Sequence, residues 1–205
     1  MSKFFVNNNQ VNDGIIKISG DSFNHIKNVL RLKQGEQLQI CDVDNKVNYL
    51  CKIKDFFKDY IDCSIIEKLE NTTETNVYIN IFQGIPKADK MEWIIEKCTE
   101  IGVSEFTPLN MERCVVKIDE KSKEKKISRW QKIAQSAAMQ SGRDIIPSVN
   151  NIIKFDDLRK FINEYDVVLV AYENEQERII KDELRKIDSI SQIKIAVVIG
   201  PEGRN

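Results

Sequence analysis

The sequence predicts an α/β protein in two parts: a small β-barrel with one short helix, then a parallel sheet flanked by helices. Three observations carry this expectation. Residues 1–70 hold short alternating or β-branched segments separated by Gly, Asp and Asn turn signals. A polar stretch, Glu70-Asn71-Thr72-Thr73-Glu74-Thr75-Asn76, lacks large apolar residues and reads as a linker, placed at 71–76. From residue 77 to residue 205, apolar runs of strand length alternate with amphipathic helical segments. That alternation is the mark of a parallel sheet covered on both faces.

The elements follow in chain order. Gly14–Ile18, Gln37–Asp42 and Tyr60–Ile65 are strands, with turns at Asp13-Gly14 and Asp44-Asn45. Ser22–Leu30 is a helix, because Phe23, Ile26, Val29 and Leu30 recur on one helical face. Val77–Phe82 opens the second part as a strand. Asp89–Ile101 is a helix with Met91, Ile94, Ile95, Cys98 and Ile101 as its inward stripe and Gly102 as its stop. Glu105–Leu109 is a strand, and Ser128–Gln140 is a helix facing inward through Trp130, Ile133, Ala134, Ala137 and Ala138. Asp156–Glu164 and Gln176–Lys186 are helical, and Val167–Tyr172 and Lys194–Ile199 are buried strands.

Composition narrows the function classes. With 41% hydrophobic and 31% charged residues, the chain is neither disordered nor a fibrous repeat. Lys plus Arg number 31 against 32 Asp plus Glu, so any nucleic-acid contact must be a local patch rather than a diffuse positive field. The longest apolar runs are too short to span a bilayer, and the N-terminus lacks the apolar core of a signal peptide. Five cysteines without a Cys-x-x-Cys pair argue against a zinc site or a disulfide framework and for reduced thiols in a cytoplasm. No metal site is expected. The single histidine, His25, has no neighbours suggesting a triad.

Four segments can carry chemistry. Strand Lys194–Ile199 runs into Gly200-Pro201-Glu202-Gly203, and ligands of open parallel sheets lie beyond the carboxyl ends of strands. The two glycines allow close backbone approach, although the same residues also make an ordinary β-turn. Gln83-Gly84-Ile85-Pro86-Lys87-Ala88-Asp89-Lys90 brings two lysines to a strand end beside a helix start, a phosphate-facing surface or a solvated helix start. Glu112–Lys132 holds eight basic residues (among them Arg113 and Lys117) against four acidic ones, a net of +4 suited to phosphate contact or to simple solvation. Gln135–Arg143 is a helix of small residues ending at Ser141-Gly142, with Arg143 placed as a donor just past the end.

Taken together, Gln83–Lys87 with Lys90–Val103, Glu112–Lys117, Arg129–Arg143, Tyr172-Glu173, Ile199–Gly203 and the barrel segment His25…Val29-Leu30-Arg31…Gly35 resemble one family in order and over nearly the whole chain. This is the RsmE family of the SPOUT class, the uridine N3-methyltransferases of small-subunit ribosomal RNA. The resemblance implies a PUA-like barrel followed by a SPOUT α/β domain with a C-terminal trefoil knot, S-adenosyl-L-methionine as methyl donor, a homodimer, and a cytoplasmic role in rRNA processing. It implies that Tyr172, Glu173, Ile199, Gly200, Pro201, Glu202 and Gly203 hold the cofactor. Arg143 is expected as a clamp on the developing uracil anion or a phosphate, and Glu173 as a carboxylate beside the reacting base. Arg31, Lys87, Lys90, Arg113, Lys117 and Arg143 are the expected RNA contacts. The family pattern continues beyond Gly203, where this sequence has only Arg204-Asn205, so a C-terminally truncated knot is expected. Two rival readings are a non-catalytic RNA-binding module and a metabolic enzyme acting on a small molecule. The separate barrel and the lack of a nucleotide fingerprint count against the second.

Overall fold

A computed structural model describes residues 3–70, 73–112, 114, 120–172, 174–175, 179–187 and 192–201. The chain divides into two compact units. The first is Met1–Glu74 together with Ala138–Ile145, and the second is Thr75–Ala137 together with Ile146–Asn205. The sequence suggested a single break near the linker. The structure instead returns a later segment to the first unit.

The first unit is a six-stranded sheet around one core. Its strands are β1 (Lys3–Val6), β2 (Val11–Asn12), β3 (Ile15–Ser19), β4 (Gln37–Asp42), β5 (Val47–Phe56) and β6 (Tyr60–Leu69), in the order β1-β4-β5-β6-β3-β2. Among the described residues of this unit, only the β1–β4 pair is parallel. Alternate residues of each strand point inward, so Ile16 and Ile18, Leu38 and Ile40, Cys51 and Ile53, and Ile61 and Cys63 meet in the core. Burial pushes the Cys41 thiol up to about 11 and those of Cys51 and Cys63 up to about 12, which keeps them as inert apolar fillers.

Between β3 and β4 runs α1 (Gly20–Asn24), which continues as a π-helical turn over His25–Leu30. Phe23 and Ile26 are its buried residues, while Val29, expected to face inward, is 65% exposed. The wider π turn rotates residues after His25 off the 3.6-residue track. Arg31 ends the turn at a left-handed φ of 54°, its N–H donating to the Ile26 carbonyl. His25 packs edge-on against Phe4.

Ala138–Ile145 is tied to this unit by buried charges. The Asp144 carboxylate accepts hydrogen bonds from Lys3 and from the Asn48 amide. The Arg143 guanidinium pairs with Glu74 at 2.6 Å. The Glu74 carboxylate also accepts from the backbone N–H groups of Asp144 and Ile145, at 2.9 and 3.2 Å. Glu74 therefore serves as an anchor, although it lies at the polar stretch read as a linker.

The second unit is a parallel sheet. Its strands are β7 (Val77–Gly84), β8 (Glu105–Asn110), β9 (Ser148–Val149), β10 (Ile153–Lys154), β11 (Val167–Ala171) and β12 (Ile193–Ile199), in the order β10-β8-β7-β12-β11 with β9 also on β8. One face is covered by α2 (Lys90–Glu100) and by α3 (Glu120–Ser141), through Met91, Ile95, Trp130 and Ala134 against Ile81 and Phe106. The other face carries Phe82, Leu109, Ala196 and Val198, packed against Leu158 of the 3-10 turn Phe155–Lys160.

Three local expectations need correction. Ile101 is 81% exposed, because the helix ends at Glu100 and the capping residue leaves the helical track, and Thr99 takes a buried place instead. The helix read as Ser128–Gln140 starts at Glu120. The third concerns β11, read as buried, which is the sheet edge with Val170 66% exposed.

Candidate ligand site at the carboxyl ends of the central strands

β7 is followed in sequence by β8 on one side, whereas β12 enters late and lies on its other side. The connections therefore diverge between β7 and β12, and a doubly wound sheet leaves a crevice at such a point. The register aligns Gln83 of β7 with Ile199 of β12, and Ile199 with Ala171 of β11. Tyr172 and Gly200 thus leave the sheet side by side. Parallel pairing brings together Tyr172, Ile199, Gly200 and Pro201, residues separated in sequence by the α4 (Ile180–Arg185) crossover.

Two features make this end of the sheet a cradle. A side chain on Gly84 would bring its Cβ within 2.5 Å of the Pro201 nitrogen and 2.9 Å of the Gly200 carbonyl carbon. Only a glycine there lets the loop after β12 lie directly over the end of β7. A Cβ built on Gly200, by contrast, meets nothing within 4 Å among the described residues. Gln83 is 3% exposed and its amide donates to the carbonyls of Gly84 at 2.9 Å and Gly200 at 3.4 Å. From sequence, Gln83 and Gly84 belong to a lysine-bearing loop and to the first block of the family resemblance. Their role in positioning the β12 loop depends on a register that no local pattern reveals.

Tyr172 is 64% exposed, its carbonyl accepting from the Glu175 N–H. The loop after β7 begins at the same end of the sheet. Ile85 is buried, its N–H donating to the Leu109 carbonyl, Lys87 is half-buried, and Lys90 is the first residue of α2. Ala88 holds a left-handed φ of 52°, a strained conformation for a residue with a Cβ. At the end of β8 the Cys114 sulfur accepts from the Met111 N–H at 3.3 Å and is buried, a structural contact.

Of the other expected site residues, Arg143 is placed differently from the reading above. Only 4% exposed and ion-paired with Glu74, it belongs to the first unit. Its guanidinium is held by the Glu74 carboxylate. Arg31 is exposed at the end of the π turn. Glu173, Glu202, Gly203, Arg113 and Lys117 lie outside the described residues.

Sequence reasoning also missed a polar network across β7 and β8. Glu105 accepts from the Tyr78 hydroxyl at 2.7 Å and from the amides of Asn80 and Asn150 at 2.9 and 2.7 Å. Asn80 also reaches the Tyr165 oxygen at 2.7 Å. Burial, then the bond to Glu105, holds the Tyr78 phenol well above its ordinary value, so it stays a donor. The alternation that places Tyr78, Asn80, Glu105 and Thr107 on one sheet face was visible, but their satisfaction by Asn150 and Tyr165 required the fold.

The class is settled by comparison. Residues 73–204 match the RNA methyltransferase domain model, and residues 18–66 match the RNA methyltransferase PUA domain model. The chain is 36% identical to ribosomal RNA small subunit methyltransferase E of Bacillus subtilis, over 91% of this chain and 73% of that protein. It is 32% identical to the enzyme of the same name from Mesomycoplasma hyopneumoniae, over 99% of this chain and 82% of that protein. A crystal structure of a ribosomal RNA small subunit methyltransferase E from Neisseria gonorrhoeae, bound to S-adenosyl methionine, superposes with a TM-score of 0.82. It is 26% identical and covers 100% of this chain and 82% of that one. The chain therefore belongs to the ribosomal RNA small subunit methyltransferase E family, RNA methyltransferases of the SPOUT fold with a PUA domain.

Proposed function

We infer that this chain catalyses the S-adenosylmethionine-dependent methylation of N3 of one uridine in small-subunit ribosomal RNA. The observation carrying this reading is the crossing of the β12 loop over Gly84, which leaves a cradle beside Tyr172 at the switch point of the sheet. A glycine-containing loop at this end of the sheet, next to the end of β11, suits an adenosine, which offers a flat base with donor and acceptor edges. Ile199, Gly200, Pro201 and Tyr172 would hold it, with Glu173, Glu202 and Gly203 completing the set as the family resemblance implies.

S-adenosylmethionine supplies the methyl group as a sulfonium substituent. The work left to this chain is alignment, exclusion of water and handling of the uracil N3 proton. Gln83 serves the first by locking the Gly200 carbonyl. Glu173, next to Tyr172, is the proposed carboxylate for the proton. Lys87 and Lys90, at the loop after β7, and Arg113 and Lys117 are the proposed phosphate contacts, and Arg31 is the proposed contact on the barrel. The target uridine must be unpaired or extruded to reach the cradle. A homodimer working in the cytoplasm completes the proposal. No helix among the described residues is long and apolar enough to cross a membrane, and the cysteines are free thiols.

The test is transfer of tritiated methyl from S-adenosylmethionine to small ribosomal subunits taken from cells lacking this modification, with nucleoside analysis of the product. The expected product is 3-methyluridine at a single position. Label in a different nucleoside would overturn the position, and RNA binding without transfer would favour a non-catalytic module.

A further inference from the structure

The barrel carries a second surface feature that the proposed function does not use. Gly20, Phe23, Asn24, Lys27 and Asn28 of the α1 and π-helical segment face Lys58 and Asp59 of the β5–β6 turn across an open depression of about 390 Å³. Its rim is polar: Asn24, Lys27, Asn28 and Lys58 are all exposed. Lys27 is steered by the ring of Phe23, its Nζ 5.1 Å from the centroid.

The same turn presents an aromatic pair. Phe57 and Tyr60 stack with centroids 4.5 Å apart and planes 15° from parallel, and Phe57 is 41% exposed. Lys17 of β3 lies over the Tyr60 ring at 4.3 Å. Tyr60 pairs with Ser19, next to Gly20, so the stack and the depression are contiguous. Asp59 lines the depression and Asp21 is exposed nearby. Asp62 stands opposite Lys17 in the β3–β6 register, so the cations of this surface are individually placed rather than in excess.

We propose that this surface is a single-stranded RNA subsite, in which Lys27 and Lys58 contact successive phosphates and the free face of Phe57 stacks a base. Side-chain amides at Asn24 and Asn28 add base-edge or 2′-hydroxyl partners. Cations beside an exposed aromatic ring are the combination that single strands require, since a duplex offers phosphates but no free base face. A membrane surface would be met by lysines with a broad apolar rim, whereas this rim is amide-lined. The proposal rests on the reading of the chain as an RNA-modifying enzyme.

The experiment uses the full chain and a fluorescein-labelled single-stranded RNA dodecamer of mixed sequence, followed by anisotropy, with the same dodecamer annealed to its complement as control. The double variant Lys27→Ala/Lys58→Ala is expected to weaken single-strand binding about tenfold and to reduce the log–log salt slope by about 1.4, two contacts at about 0.7 each. Phe57→Leu, which keeps the turn apolar, is expected to weaken it about fivefold or more through lost stacking. S-adenosylmethionine binding, read by calorimetry, stays at the parent value in both variants. Unchanged RNA affinity in the variants overturns the subsite while leaving the proposed function intact. Equal affinity for the duplex overturns its single-strand character. A parent chain that binds neither RNA overturns both readings.

Discussion

Asp144 is 7% exposed and Lys3 is 4% exposed, so their ion pair lies out of water. Burial alone would raise the Asp144 pKa, but hydrogen bonds from Lys3, Thr73 and Asn48 outweigh it and hold the carboxyl below the ordinary range. Removing one partner leaves the other charge buried without compensation. Asp144→Ala is therefore expected to cost about 3–5 kcal/mol in urea denaturation. The sign with pH follows from the lowered value. The carboxylate's contribution is complete above its unfolded pKa of about 3.9 and disappears as pH falls through the lower folded value. Below about pH 4, the parent should lose stability more steeply than Asp144→Asn, and parallel acid limbs would rule out this linkage. Arg143 is likewise buried, its guanidinium paired with the Glu74 carboxylate. A polar pair of this kind is invisible in sequence because its members are 69 residues apart.

Among the elements, the crossing of β7 and the loop after β12 matters most to function. Gly84 is not at a positive φ, so its requirement is purely steric: the Pro201 nitrogen occupies the space of a Cβ. Gly84→Ala should push the loop off the strand end, at a cost of about 1–3 kcal/mol for overpacking. We expect S-adenosylmethionine affinity to fall at least about tenfold by calorimetry, with the first unit's tryptic resistance unchanged. Parent affinity in this variant would mean that the β12 loop does not shape the cradle. At β11, an apolar run of five residues was read as buried, yet apolar composition states only that a strand is able to be covered. Its position at the sheet edge, among the described residues, leaves Val168 and Val170 exposed.

At the scale of the chain, the division into units is discontinuous. A cut at the polar stretch looks natural from composition, but it would strand Met139, which packs on the first core, and the buried pair Arg143 and Asp144. A chain beginning at Thr75 is thus expected to be poorly soluble or to melt well below the full chain in differential scanning fluorimetry. Full solubility and a cooperative, unshifted transition would show that Ala138–Ile145 does not need the rest of the first unit. Removing the barrel is accordingly a poor way to separate RNA binding from catalysis, and point substitutions on its exposed face are the better probe.

Much of this protein is written in local pattern. Alternation along Ile15–Ser19 and Gln37–Asp42 specifies half-buried strands, and the repeat Met91, Ile95 with Gly102 specifies a helix and its end, because each depends on neighbours within a turn or two. The motif blocks also identify the family, since Gly200-Pro201 and the Gln83-Gly84 loop can be read in order without knowing that they touch. The tertiary structure decided the rest. Parallel register placed Ile199 between Gln83 and Ala171, which makes the cradle. Long-range ion pairing set Arg143 against Glu74 within the first unit. A π turn swung Val29 outward. These outcomes depend on which distant groups compete for burial and for charge, and chain pattern carries the capacity for such contacts but not their choice of partner.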